Sequence, residues 1–151
     1  MPLLNHSTDV PVEKTIGEIQ RLLGKHGAKA IMLNYDQEGN VSALSFQMSV
    51  NERDIAFRLP CDWRPVLKIL EHDPKAKRHA KVDQARAVRV AWRIVKDWVE
   101  AQMALIDTYM VEVQEVFLPY AITKSGKTLY EATKESGFLL GGGDIPPSEP
   151  Q

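Results

Sequence analysis

Hydrophobic and polar residues alternate strictly from residue 44 to residue 51, with an apolar side chain at every even position. A period of two predicts a β-strand with one buried and one exposed face. The pattern returns at Ile55, Phe57 and Leu59, and a short apolar run, Ala30–Tyr35, precedes turn-forming residues 36–40. We therefore predict a three-stranded antiparallel meander that Pro60 ends.

Before and after the predicted sheet, the apolar residues have a different spacing along the chain. Apolar residues recur every three or four positions from Val12 to Leu23, and again from Trp63 to Leu70, which predicts two helices. The longest such pattern runs from about Lys77 to Asp107, with shorter helical turns expected near residues 112–117 and 128–135. The fold class is thus α+β, with an N-terminal helix, the meander, and a helical half built on one long central helix.

Two neighbouring sides of the predicted long helix are apolar, so we expect both to be buried. A polar arc remains, and we expect it to face solvent. Its members are all cationic: Arg86, Arg89, Arg93 and Lys96.

The ends of the chain differ in composition from its middle. We predict a flexible N-terminus over residues 1–11, a single α+β domain over 12–138, and a flexible tail rich in glycine and proline over 139–151. A domain of this size buries enough surface to fold without disulfides or a structural metal.

Composition narrows the classes of function. A formal net charge of -1 excludes a uniformly basic coat protein for nucleic acid, and the single cysteine, Cys61, cannot form an internal disulfide. The first residues lack the cationic start and long apolar run of a signal peptide, and no apolar run reaches membrane-spanning length. We expect a cytoplasmic protein with no membrane association.

Charge is unevenly distributed along the chain. Residues 64–96 carry ten Lys and Arg against three acidic residues, a balance of +7, and residues 97–151 have a balance of -6. Such a basic segment predicts a surface that neutralises phosphates, although pairing with the acidic segment or simple solvation is the alternative. The candidate nucleic-acid-binding residues are Lys75, Lys77, Arg78, Lys81, Arg86, Arg89, Arg93 and Lys96.

The densest cationic stretch is residues 74–81, and within it residues 77–81 resemble the helix-start signature Lys-Lys-x-Ala-Lys of double-stranded RNA-binding domains. That family has a glycine-proline loop between its first two strands, and its basic helix follows the third strand almost directly. This chain has no such loop, and the predicted helix from Trp63 intervenes. We therefore retain only the expectation that these cations reach phosphates.

Other candidate chemistry is weaker. Residues 121–128 match a loose phosphate-binding-loop pattern, but their context favours a turn, residues 124–127, that precedes a last helix. The four histidines show no paired ligand spacing, and Cys61 fits a small apolar filler at a strand end better than a nucleophile. Trp92 and Trp98 share the helical phase of neighbouring valines, which indicates core positions. We expect no catalytic residue, no metal and no cofactor.

Over residues 11–138 the chain resembles a family of small uncharacterised phage and prophage proteins. The residues that carry the resemblance include Phe57-Arg58-Leu59-Pro60, the stretch from Val90 to Gln102, and Glu115-Val116-Phe117-Leu118-Pro119-Tyr120. The resemblance implies a viral gene product that acts in the cytoplasm of an infected bacterial host, on nucleic acid or on a host protein.

The sequence leads to one preferred function and one alternative. The preferred function is a non-enzymatic phage-type accessory protein that binds DNA or RNA through a basic helix face. The alternative is a protein-interaction module, either an oligomeric adaptor, including a homo-oligomer, or an inhibitor of a host protein. In that alternative the basic middle of one chain meets the acidic part of another, and residues 118–120 supply an apolar contact.

Overall fold

The structure is a computed structural model that describes residues 2–138 and 142–149. It confirms the predicted α+β fold class, with an N-terminal helix, a three-stranded antiparallel sheet and a helical half that contains one long helix. In chain order the elements are α1 (Val12–Lys25), β1 (Ala30–Tyr35), β2 (Val41–Val50), β3 (Arg53–Pro60), α2 (Arg64–Glu71), α3 (Pro74–His79), α4 (Gln84–Asp107), α5 (Val113–Phe117), a 3-10 turn (Leu118–Tyr120) and α6 (Leu129–Glu135).

The strands lie in the order β1-β2-β3, and the register aligns their apolar positions. Phe46 of β2 is opposite Ile31 and Phe57, and the next apolar row is formed in the same way around Leu44. Asn51 and Glu52 join β2 to β3 with positive φ angles of 50° and 66°. Left-handed residues at both turn positions match the right-handed twist of the flanking strands, which explains so short a connection.

α1 and α4 pack against each other and cover one face of the sheet. Four aromatic rings meet there around Phe117, whose side chain is fully buried. Its ring lies 5.2 Å from Phe46, 5.9 Å from Phe57 and 5.7 Å from Trp98, measured between ring centroids. Phe117 belongs to α5, so this short helix, which follows α4 in the sequence, completes the main core.

A second, smaller core lies on another side of α4, where Leu70 of α2 and Ala76 of α3 meet Ala87 and Val90. The prediction that two sides of the long helix are buried is thus confirmed. Trp92 is also buried, and its indole Nε1 donates a hydrogen bond to the Val41 carbonyl at 3.0 Å. That bond fixes α4 against the first residue of β2.

The predicted start of the long helix at Lys77 is wrong. α3 ends at His79, Ala80 is extended, and α4 begins only after Asp83. Asp83 has an extended backbone, and its carboxylate accepts a hydrogen bond from the Arg86 N–H at 2.9 Å, as an N-cap residue does. The densest cationic stretch therefore lies on and just after a separate six-residue helix.

The first residues of the chain contact the helical half. Leu3 packs against the second core, and the Asn5 side-chain amide donates to the Asp97 carboxylate at 2.7 Å. Of the glycine- and proline-rich tail predicted over 139–151, residues 142–149 form neither helix nor strand. Residues 139–141, 150 and 151 lie outside the described part of the chain, as does Met1 at the other end.

The central position of Phe117 leads to a stability prediction. We expect Phe117→Ala to lower the free energy of unfolding by about 3 to 5 kcal/mol, because it leaves a cavity among three other aromatic rings. Urea denaturation measures the change. The neighbouring Leu118 is half-exposed, so Leu118→Ala is the matched control and should cost less than about 1 kcal/mol. Similar losses in the two variants would contradict this account of the core.

Candidate nucleic-acid interface

The eight cations predicted to bind nucleic acid fall into two groups in the structure. Lys75, Lys77, Arg78 and Lys81 are exposed on α3 and the residues after it. The other four, on α4, are buried or half-buried. The structure therefore does not bring the eight residues together on one surface, and the prediction of an outward cationic arc on α4 is wrong.

Arg86 differs most from the predicted exposure, since only 2% of its surface is exposed. Its Nη1 donates hydrogen bonds to the carbonyls of Ala76 at 2.6 Å and Ala80 at 3.0 Å. Its Nε and Nη2 both donate to the His6 carbonyl, at 3.1 and 2.7 Å. One guanidinium thus joins the N-terminal segment, α3 and α4, and four of its five N–H donors are bonded to carbonyls within the chain.

Arg93 and Lys96 are held by acidic neighbours. The Arg93 guanidinium lies 2.5 Å from the Glu18 carboxylate of α1, and both side chains are largely buried. Lys96 lies 3.8 Å from Asp97 and is also paired with Glu100 one turn further along α4. The Arg93 pair joins α1 to α4, and the Lys96 pairs lie within α4. Neither cation is therefore free to bind a partner.

Arg89 is half-buried, and its buried Nε has no hydrogen-bond partner among the described residues. It forms no ion pair with any acid in the described part of the chain. Arg89 is thus the one member of the predicted α4 arc that forms neither a side-chain hydrogen bond nor an ion pair with a described residue.

Three of the four exposed cations lie on α3, and their side chains leave this short helix in different directions. Ala76 is the buried residue of α3 and faces the second core, so Lys75, Lys77 and Arg78 project away from that core on both sides and outward. Pro74 occupies the first turn, and the Asp73 carboxylate accepts from the Lys75 N–H at 2.9 Å. These two residues start a helix too short to be stable in isolation.

None of the four exposed cations forms an ion pair with a described acidic residue. Lys68 of α2, which packs against α3, is also exposed and unpaired within the described residues. We name these five residues, Lys68, Lys75, Lys77, Arg78 and Lys81, the basic surface. Lys68 was missed as a site residue, because only the packing of α2 against α3 shows that the two helices are neighbours.

The segment that resembles a phosphate-binding loop is a turn, as the sequence predicts. Ile122 and Thr128 form an isolated antiparallel bridge, and Gly126 has a φ of +84° between them. The Thr128 hydroxyl caps α6 by accepting from the Glu131 N–H at 3.2 Å, and Lys127 pairs with Glu135. The backbone N–H of Thr128 donates to Glu131 and lowers the pKa of that carboxyl. The threonine and the lysine are therefore both used within the chain.

Cys61 is buried at the end of β3, where its N–H donates to the Ser42 carbonyl at 3.2 Å. Burial, and to a smaller extent the neighbouring Asp62 charge, raises the pKa of its thiol to about 12. A thiol with so high a pKa is almost fully protonated at neutral pH and is a poor nucleophile. This agrees with the predicted role of a filler at a strand end.

The described residues contain neither a cluster suited to a metal ion nor a helix suited to a membrane. Within residues 2–138 and 142–149, no group of three or more His, Cys, Asp or Glu side chains is placed to hold a metal ion. Among the helices formed by the same residues, none combines the length and apolar character needed to cross a bilayer.

Comparison with protein-family models, curated proteins and solved structures finds no match to this chain. The resemblance to small phage proteins therefore stays a prediction.

The contacts of Arg86 lead to a prediction about the interface. We expect Arg86→Met to lower the free energy of unfolding by about 3 kcal/mol, because one buried and two partly buried carbonyls lose their donor. Limited proteolysis should then cut the N-terminal segment or residues 74–83 faster than in the unmodified protein. The exposed Arg53 provides the control, since Arg53→Met removes the same charge without removing such contacts. An equal effect of both changes would show that Arg86 has no such role.

The buried thiol gives a second prediction. At pH 8 we expect Cys61 to react with a thiol-specific reagent such as 5,5′-dithiobis-(2-nitrobenzoic acid) far more slowly in the folded protein than in urea, because the reagent needs an accessible thiolate. Absorbance of the released thiolate follows the reaction. Equal rates in the two states would contradict the burial of Cys61.

Proposed function

We propose that this chain is a non-enzymatic accessory protein that binds the phosphate backbone of DNA or RNA through the basic surface. The supporting observation is that five exposed cations on α2, α3 and the adjoining loop lack an ion-pair partner among the described residues. Unpaired cations gathered on one part of a protein attract phosphates and release their counterions on binding. The proposed setting, which the phage resemblance implies, is the cytoplasm of an infected bacterium.

The surroundings of the basic surface support this proposal. The acidic residues in residues 64–83 are Glu71, Asp73 and Asp83, and the last two cap helices through backbone N–H groups. A capping carboxylate keeps its negative charge, so residues 64–83 carry six Lys and Arg against three acidic residues, a balance of +3. A net charge of -1 for the whole chain is therefore compatible with a positive local field.

The basic surface also differs from a flexible cationic tail. Arg86 holds α3 in place by bonding to the carbonyls of Ala76 and Ala80, at the middle and end of the cationic stretch. Cations on a fixed helix lose less conformational freedom on binding than cations on a mobile segment. We therefore expect contacts with phosphates rather than with base edges, and little dependence on nucleotide sequence.

The test is a fluorescence-anisotropy titration of labelled single- and double-stranded DNA and RNA over a series of salt concentrations. We expect Lys77→Gln/Arg78→Gln to weaken binding and to reduce the slope of log K against log salt by about two, one unit for each lost phosphate contact. Lys14→Gln/Arg53→Gln removes the same charge from exposed positions outside the basic surface and is the matched control.

The outcomes of this titration distinguish the functions. A slope that falls equally in both double variants would mean that overall charge, and not the basic surface, causes binding. No binding of any nucleic acid at low salt would overturn the proposal and favour the protein-interaction alternative.

A further inference from the structure

We infer that the outer face of the sheet, opposite to the face that α1 and α4 cover, binds a small monocarboxylate with an apolar body. Side chains of a strand alternate between its two faces. Since Leu44 and Phe46 belong to the main core, Ser45 between them belongs to the outer face. Met32 of β1 and Arg58 of β3 are opposite Ser45 in the register. These three residues therefore form one row across the outer face.

Two neighbouring donors in this row are buried without a partner. Ser45 is only 6% exposed, and its Oγ forms no hydrogen bond with a described residue. The Nε of Arg58 is also buried and also lacks a partner among the described residues. Buried polar groups are nearly always hydrogen-bonded, so a pair of unbonded donors side by side indicates that an acceptor from outside the chain completes them.

The charge of Arg58 indicates that this acceptor is an anion. Arg58 forms no ion pair with an acid in the described part of the chain, and its Nη2 donates to the Gly126 carbonyl. The pKa of Glu131 is lowered mainly by the hydrogen bond from the Thr128 N–H and to a smaller extent by the Arg58 charge. A carboxylate only accepts hydrogen bonds, and its two oxygens can serve both the Ser45 hydroxyl and the Arg58 Nε.

A groove of about 270 Å³ on the outer face has Ser45 in its lining. The other side chains that line it on this face are mostly apolar: Ala30, Met32, Gln47, Ala56 and Ile122. Ile122 is fixed beside β3, because its N–H donates to the Ala56 carbonyl at 2.8 Å. Sites for drug-sized ligands span about 300 to 1,000 Å³, so this groove suits a smaller molecule. Its lining favours a carboxylate with a short hydrocarbon body over an inorganic anion, which has no apolar surface to bury.

Met32 is the adaptable side chain of this groove. It is 57% exposed and lies directly opposite Ser45 in the register. The unbranched thioether of methionine has three rotatable bonds and adapts to the shape of its neighbours. A rotation of Met32 gives the head group of a ligand access to the Ser45 hydroxyl, while the rest of its side chain stays in contact with the apolar body.

The test is an amide NMR titration of the full chain with sodium hexanoate. We expect saturable shifts at the amides of residues 30–32, 45–47, 56–58 and 122, which belong to the groove and the donor row. Hexanol keeps the apolar body without the charge, and its dissociation constant should be about tenfold higher or more. Hexylamine, whose head group only donates, should not give saturable shifts at these amides.

Substitutions of the two donors test their roles separately. Ser45→Ala should weaken hexanoate binding about threefold to tenfold without lowering the Tm, because the hydroxyl has no partner within the described chain. Ser49→Ala is the matched control, since Ser49 lies on the same strand, bonds to Asp54 at 2.8 Å and is outside the groove lining. Arg58→Gln should weaken binding by about tenfold or more, and Arg53→Gln, which removes an exposed charge, should not.

Four results would overturn the carboxylate site. They are the absence of saturable shifts with hexanoate, equal binding of hexanol or hexylamine, shifts confined to the basic surface, and equal effects of the two serine variants. A lower Tm for Ser45→Ala would also do so, because it would show that the hydroxyl supports the fold. Circular dichroism checks that each variant folds. Ala56→Leu, which fills the groove and should abolish binding, replaces Arg58→Gln if that variant does not fold.

Discussion

The contact between the Arg86 guanidinium and three backbone carbonyls holds the helical half together. A buried guanidinium is costly unless its donors are satisfied, and here Nε, Nη1 and Nη2 all donate to carbonyls. The six residues of α3 are too few for a helix to persist without tertiary contacts. The position of the basic surface therefore depends on a basic residue that is itself inaccessible. Cations that are close in the sequence thus have different roles: Arg86 donates hydrogen bonds within the fold, and the cations of the basic surface are exposed.

α4 connects this arrangement to the sheet. One of its sides contributes Trp92 and Val99 to the aromatic core around Phe117, and another contributes Ala87 and Val90 to the smaller core under α3. On a further side, Arg93 pairs with Glu18 of α1. Over its first half, the long helix has almost no side that is fully exposed to solvent. It contributes side chains to both cores, and the basic surface proposed for nucleic acid is formed by α2 and α3, which pack against it in the smaller core.

Most of the fold follows from short-range patterns in the sequence. Strict alternation over residues 44–51 identifies β2, and the capping threonine and glutamate near residue 128 identify α6, because such signals are complete within a few residues. The break after His79 does not follow from helical periodicity, because the N-cap residue Asp83 lies inside the pattern that runs from about Lys77 to Asp107. The exposure of the α4 cations was not predictable either, since Arg86 bonds to the carbonyls of His6 and Ala76 and Arg93 pairs with Glu18 of α1. Helical phase shows which residues share a side, but not what covers that side.

The pairs that join distant parts of the chain have a consequence for the order of folding. His26 bonds to Asp107, Glu18 to Arg93 and His6 to Arg86, and each of these contacts closes a loop of about eighty residues. The meander and its tight turn, in contrast, need only neighbouring residues, and hairpins of this kind form within microseconds. Since long loops are costly to close before their contacts are made, the docking of α1 and the N-terminal segment onto α4 is expected to come last and to limit the folding rate. On a ribosome, the part of the sheet's apolar face that α4 covers therefore stays uncovered until α4 has emerged.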